Sequence, residues 1–122
     1  MQSIIVDTSA IVFAAENGVD IFATIEQRLP GCTMVVSTGI IEELERISGS
    51  ALASKKAARL ALEMMDAHKI KVLKGGNEVD AWIVKESSAR KWSVCTNDIG
   101  LKKELKKRKV EVLSASSNGI LR

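Results

Sequence analysis

Five short β-branched runs, each separated from the next by helical stretches, leave this chain few ways to fold. The runs are Ile4–Val6, Met34–Val36, Ile70–Leu73, Ser93–Thr96 and Val110–Leu113. Each is brief and apolar, as expected of strands covered on both faces. Between them, helical patterns run over Ser9–Asn17, Asp20–Leu29, Thr38–Ile47, Ala51–His68, Asn77–Lys91 and Asp98–Arg108. Asn17–Gly18, Pro30–Gly31, Ser48–Gly49 and Gly75–Gly76 punctuate the helical stretches. The order is β-αα-β-αα-β-α-β-α-β. Helical crossovers between buried strands imply an α/β fold, a mainly parallel sheet with helices on both faces. No linker, repeat or low-complexity segment interrupts the 122 residues, so a single domain over 1–122 is expected.

A chain of this length can bury a core without disulfides. With 3% aromatics and no Tyr, that core must be aliphatic. The same shortage argues against nucleic-acid recognition by base stacking. Cys32 and Cys95 fit no zinc spacing and are expected to be buried, reduced thiols. No apolar run reaches the ~20 residues of a membrane span, and the N-terminus is too short and too soon charged for a signal peptide. A cytoplasmic protein is the expectation. The helix Ala51–His68 carries Leu52, Leu60, Leu62, Met64 and Met65, which cannot share one face. Burial on two sides is expected, with a homodimer interface as the alternative.

The net charge is +3, but it is unevenly placed. Lys85 to Lys109 holds nine Lys or Arg against three acids, half of all basic residues. Such asymmetry suggests an anionic partner, against the plainer reading of a solvated helix face.

The acids show a pattern of their own. Open parallel sheets bind ligands at the carboxyl ends of their strands. Asp7 directly follows the first run, and Asp98 follows the fourth after a short exit. Two more acids stand on helices. In TGIIEELERI, Ile40, Leu44 and Ile47 form the apolar stripe, and Glu43 falls about 60° from Ile40, at its border. Glu42, Glu45 and Arg46 point away. Asp80 likewise lies about 60° from Ile83 at the border of the Val79/Ile83 stripe. Each has an ordinary reading: Asp7 as a turn acid, Asp98 as an N-cap, Asp80 as a capping-box acid after Asn77, Glu43 as a surface carboxylate. Crowded together, carboxylates would repel by about 4 kcal/mol per pair at ~4 Å and an effective dielectric near ~20. A hard divalent cation, Mg²⁺ or Mn²⁺ in preference to zinc, would relieve this. No nucleophilic machinery competes. His68, the only histidine, reads as a residue at the end of a helix, and Gly75–Gly76 reads as a turn.

At these residues the sequence resembles the PIN-domain nucleases. IVDTSAIVFA resembles their opening strand and first acid, and STGIIEELERI the helix of the second. VDAWIV is similar to the third-acid motif, and VCTNDIGLKKELKKRKVEVL to the last strand-acid-helix-strand unit. The resemblance covers nearly the whole chain. VDIFATIEQ, KAARLALEM and SSNGILR are similar to small archaeal PIN proteins related to small-subunit rRNA-processing endonucleases; VapC-like toxins are the nearer rival.

The resemblance implies a three-layer sandwich with a five-stranded parallel sheet in order 3-2-1-4-5, which would set Asp7 beside Asp98. It implies an Mg²⁺- or Mn²⁺-dependent endoribonuclease with Asp7, Glu43, Asp80 and Asp98 as catalytic metal ligands. Ser9 and Thr96 would support them. Lys102, Lys103, Lys106, Lys107 and Arg108 would hold the backbone of an RNA partner, single-stranded or ribosomal. An antitoxin is the expected partner if the chain is toxin-type. A non-catalytic RNA-binding PIN module is the second class of reading, and a response-regulator-like phosphatase fold the third. Two departures from the family pattern stand out. Ile99, Gly100 and Leu101 occupy positions where many relatives carry a further acid, which implies weaker metal binding. Trp82 stands where smaller residues are common.

Overall fold

The computed structural model describes residues 2–51 and 53–121. Its elements are β1 (Ser3–Val6), α1 (Thr8–Glu16), α2 (Ile21–Arg28), β2 (Thr33–Ser37), α3 (Thr38–Ser48), α4 (Lys55–Asp66), β3 (Ile70–Leu73), α5 (Val79–Arg90), β4 (Ser93–Cys95), α6 (Ile99–Lys107), β5 (Val112–Ser116) and β6 (Gly119–Leu121). The sheet order is β3-β2-β1-β4-β5-β6. The α/β class and the 3-2-1-4-5 order are as expected. The strand count is not: β6 is a sixth strand, antiparallel to β5, with Ala115 opposite Ile120. Ser117–Asn118–Gly119 supplies the turn, and Gly119 takes a φ of 150° that other residues rarely adopt. Three residues are too few for periodicity to reveal a strand.

Strand β5 also starts later than expected. Lys109 at φ 60° ends the preceding turn, and Val110 packs into the core before pairing begins. Strands β1, β2 and β4 are the apolar centre, with Ile4, Ile5, Val6, Val35, Val36, Val94 and Cys95 fully buried. β3 departs from the expectation of two covered faces: Val72 is 48% exposed, because β3 is an edge. Its brevity and Lys71 protect that edge from adventitious pairing.

Helix α4 is shorter than the pattern suggested, since residues 51, 53 and 54 are bend and turn; Leu52 lies outside the described residues. It packs against both α1 and α3, but through Ala57, Ala58, Ala61 and Met65. Leu60 is exposed, while Leu62 and Met64 are half-buried. Cys95 is buried as expected and its thiol is pushed up to about 12, chiefly by burial. Cys32 is only half-buried, because it precedes β2 and is not part of it. Among the described residues no single helix is long and apolar enough to cross a membrane.

His68 does not end a helix. It lies past α4 and bridges two carboxylates of the α2 region, Asp20 Oδ2 at 2.9 Å and Glu26 Oε1 at 2.8 Å. Asp20 also caps α2 through Oδ1, accepting the N–H groups of Phe22 and Ala23. The hydrogen bond to Asp20, then that to Glu26, raises the imidazole above its ordinary value near 6.5. A histidine raised in the folded state adds stability that is whole below its unfolded value and lost as pH climbs through the raised one. His68→Ala should therefore cost about 1 kcal/mol, or about 4 °C in Tm, at pH 6, and much less at pH 9. Equal losses at both pH values would contradict the bridge.

Candidate active site at the carboxyl edge of the sheet

The chain leaves β1 toward β2 on one side, and β4 lies on the other. That reversal opens a crevice at the strand ends, where α/β sheets place ligands. Val6 pairs with Cys95, so Asp7 and Thr96 emerge side by side. Asp7 occupies the N-cap position of α1 but does not cap it. Its Oδ2 instead accepts Thr96 Oγ1 at 2.7 Å and Ser9 Oγ at 2.8 Å. The Ser9 and Thr96 oxygens are 3.1 Å apart, and Ser9 Oγ also accepts the Asn97 N–H at 3.0 Å. The carboxylate is thus held in one orientation from both strands. It is 4% exposed. Burial raises its pKa despite these hydroxyls, and the nearby Asp80 charge adds to the rise.

Asp98 meets its ordinary reading and exceeds it. Oδ1 caps α6 by accepting the Leu101 N–H at 2.9 Å, while the side chain stays exposed. Oδ2 has no hydrogen-bond partner among the described residues. Gly100 leaves room here, since a Cβ would stand 3.4 Å from Asp98 Oδ1. Asp80 lies in the first turn of α5, whose N-cap is Glu78 with no side-chain cap bond, so the capping-box reading finds no support. Its pKa is raised, first by desolvation, then by the charges of Asp98 and Glu43. Glu43 is half-buried while Glu42, Glu45 and Arg46 are exposed, the orientation expected from helical period.

The four acids therefore share one electrostatic neighbourhood: Asp80 feels Asp98 and Glu43, and Asp7 feels Asp80. They are not drawn into a tight cage. Among the described residues no group of three His, Cys, Asp or Glu side chains is placed to ligate one ion unaided. The donor chemistry fits a small hard cation nonetheless. Mg²⁺ keeps several waters and needs only one or two direct carboxylates, which this group of neighbouring acids can supply.

The basic residues divide. Lys102 is half-buried, and its charge reaches inward to lower the Cys95 thiol. Lys103, Lys106 and Lys107 lie exposed on α6. Arg108 follows the helix and pairs loosely with Glu104 at 3.8 Å.

Two supports escaped sequence reasoning, and a third, Trp82, stood out there only as a departure from the family pattern. Asn97 uses its amide as a second backbone, donating Nδ2–H to Ala115 O at 3.0 Å and accepting the Ala115 N–H at 2.8 Å. It ties the β4 exit to β5 and so fixes where Asp98 begins α6. Thr38 Oγ1 donates to Gly75 O at 2.9 Å and accepts the Gly75 N–H at 3.1 Å, locking the loop that precedes α5 to the start of α3. Trp82 packs on that loop: a Cβ on Gly75 would lie 3.1 Å from its ring. A polar residue bonding across elements leaves no periodic trace, so no signal in the sequence marked the first two.

A family model for the PIN-like domain matches residues 4–117. The chain belongs to the PIN-like domain family. It is also similar to solved structures. The PIN domain endonuclease Utp24 matches with a TM-score of 0.80 and 25% identity over 97% of this chain and 88% of that one. A domain of a functionally unknown protein from Methanocaldococcus jannaschii matches at 0.65 and 19%, covering 95% and 92%. VapBC2 from Rickettsia felis, bound to a DNA fragment, matches at 0.66 and 15%, covering 94% and 100%. The latter two likenesses speak for the fold alone. No curated protein matches the chain. The PIN-domain nuclease type that the motifs resembled is thus the one to which the chain belongs, and its extra β6 is an addition to the sheet order expected.

Proposed function

We propose that this PIN-domain protein is a divalent-metal-dependent endoribonuclease acting in RNA processing, with Asp7, Glu43, Asp80 and Asp98 as its acidic site. The observation that carries the reading is that burial first, and then neighbouring charge, raises Asp7 (through Asp80) and Asp80 (through Asp98 and Glu43), which links four acids from two strand ends and two helices. Repulsion of that kind is unfavourable unless a cation answers it, and sites of this kind are where function is found. The likeness to the PIN domain endonuclease Utp24 favours an endonuclease, and the resemblance of VDIFATIEQ, KAARLALEM and SSNGILR to rRNA-processing relatives favours RNA processing over a toxin role.

Asp7, Asp80 and Asp98 would hold the principal ion, directly or through water, with Glu43 assisting. Bound there, Mg²⁺ or Mn²⁺ would lower the pKa of a bound water and offset charge on the phosphate. Ser9 and Thr96 keep Asp7 aimed by donating to its Oδ2. Asp98 gives Oδ1 to the helix, which would leave Oδ2 for the ion. Lys102, whose charge is felt at Cys95, would join Lys103, Lys106, Lys107 and Arg108 in salt-sensitive contacts to the RNA backbone.

The test is cleavage of a labelled single-stranded RNA with Mn²⁺, Mg²⁺ or EDTA. Cleavage is expected with either metal and none with EDTA, and Asp80→Asn should be slower by about a hundredfold, or about 2.7 kcal/mol. Undiminished cleavage in EDTA, or an Asp80→Asn protein as fast as the original, would refute the assignment.

A further inference from the structure

The acid site opens at one end into a feature the proposed chemistry does not use. A cleft of about 760 Å³ runs between α5 and α6, from Asp80 and Leu101 past Val84 and Lys85 to Ser88 and Arg108. Ser88 and Arg108 also line a second cavity, of about 330 Å³, bounded by Lys91, Trp92 and Lys109. The two therefore share a wall and lie end to end, the first beginning at a site carboxylate and the second ending at the far termini of both helices; together they make a track along α5 and α6. Its length follows from α5, whose 12 residues span about 18 Å.

Four cations stand along this track: Lys85 and Arg108 midway, Lys91 and Lys109 at its end. The acids beside them are engaged. Glu104 lies 3.8 Å from Arg108, and Glu111 accepts Ser93 Oγ at 2.8 Å. Neither Lys91 nor Lys109 pairs with a carboxylate among the described residues.

The two lysines share a second property. Lys91 closes α5 at φ 56°, and Lys109 follows the last turn of α6 at φ 60°. They are the only non-glycine residues at positive φ among the described residues. Glycine is the usual residue at such a helix end, because a side chain there meets steric resistance. Attraction of lysine to the helix dipole does not explain the choice. Arg90 already occupies the last turn of α5, and Lys106 and Lys107 that of α6. Two strained positions thus carry lysine on the wall of one cavity.

We infer that the α5–α6 track binds the segment of single-stranded RNA flanking the cleaved bond, its phosphates meeting Lys85 and Arg108 and then Lys91 and Lys109. The inference rests on the nuclease reading above and extends the binding surface from Asp80 to the far ends of α5 and α6. Ala81, Val84 and Ala89 give the track an apolar floor suited to ribose and base, without hydrogen-bond readout. Recognition there is of backbone charge and not of sequence.

The test uses fluorescence anisotropy on the full chain in EDTA, with a 12-nucleotide and a 4-nucleotide single-stranded RNA, from about 50 to about 200 mM KCl. The double variant Lys91→Gly, Lys109→Gly removes both charges while relieving the backbone, so its Tm should hold or rise. Its affinity for the 12-mer should fall about tenfold at low salt, and its salt slope by about 1.4, the share of two phosphates on a single strand. Binding of the 4-mer should change little. Lys85→Gln should weaken 12-mer binding independently. A double variant that folds and binds the 12-mer with unchanged affinity and slope overturns the inference while leaving the nuclease reading intact. An unmodified protein that binds neither RNA in EDTA also overturns the inference, while the nuclease reading stands or falls on cleavage with Mn²⁺. Displacement of the 12-mer by poly-glutamate at equal charge concentration would reassign the track to an acidic protein partner and overturn the RNA assignment.

Discussion

Asp7→Asn should abolish RNA cleavage and at the same time stabilise the fold at neutral pH. The activity loss is expected to reach about a thousandfold, or about 4 kcal/mol of transition-state stabilisation. Asn preserves the shape, and its carbonyl oxygen can keep the hydroxyls of Thr96 and Ser9, but it carries no charge for a cation. The stability gain has the opposite cause. Burial raises the Asp7 pKa above the ordinary 3.8, and Asp80 raises it further. A carboxylate raised in the folded state makes that state bind protons more tightly than the unfolded chain. Stability then falls as pH rises from the unfolded value through the raised one, and the deficit persists above that window. At pH 7 the variant should be more stable by on the order of 1 kcal/mol. Below pH 3.8 the difference should vanish. Millimolar Mn²⁺ should raise the Tm of the unmodified protein but not of Asp7→Asn, since only a state that binds the ion is stabilised by it. Thermal melts across pH, with and without Mn²⁺, check all three. An Asp7→Asn protein less stable at pH 7 than at pH 3, relative to the original, would reverse the assigned sign.

Gly39→Ala should destabilise the protein by about 3 kcal/mol, a fall of about 10 °C in Tm. Gly39 is buried in the first turn of α3, and a Cβ there would stand 2.5 Å from Gly76 O and 3.3 Å from Val79 Cγ2. The obstacle is backbone, and the two Thr38–Gly75 hydrogen bonds hold that backbone in place. Either α3, which carries Glu43, or the loop that leads into α5 and Asp80 must move. Cleavage should therefore fall about tenfold even at temperatures where the variant stays folded, as displaced ligands lose catalytic geometry. Gly49→Ala is the control. Its φ is −94° and its nearest contact would be 3.6 Å, so a change within about 0.5 kcal/mol is expected. A Gly39→Ala melt matching that of Gly49→Ala would show that the loop yields freely.

Much of the site was legible because it depends on periods and ends. Glu43 separates from Glu42 and Glu45 by a 100° rotation per residue, and its half-burial among exposed neighbours agrees. Asp7 and Asp98 stand where strands stop, which apolar runs reveal. Asp98 was readable as an N-cap and is one. Asp80 was readable as a capping-box acid and is not, since the cap position falls on Glu78. Propensity cannot separate two cap candidates one residue apart when the loop before them is pinned elsewhere. His68 misled for a related reason: helical composition continues to it, but Asp20 and Glu26 draw it away from α4.

By itself the order of residues determined the elements, the α/β class and which acids could face a crevice, because hydrophobic period and strand length are local quantities. Only the tertiary structure decided the sixth strand, the Asn97 clamp, the turning of Asp7 toward Thr96 and the placing of Lys91 and Lys109 on the wall of one cavity. Each of these is set by packing and hydrogen-bond geometry between elements, which no hydrophobic period records.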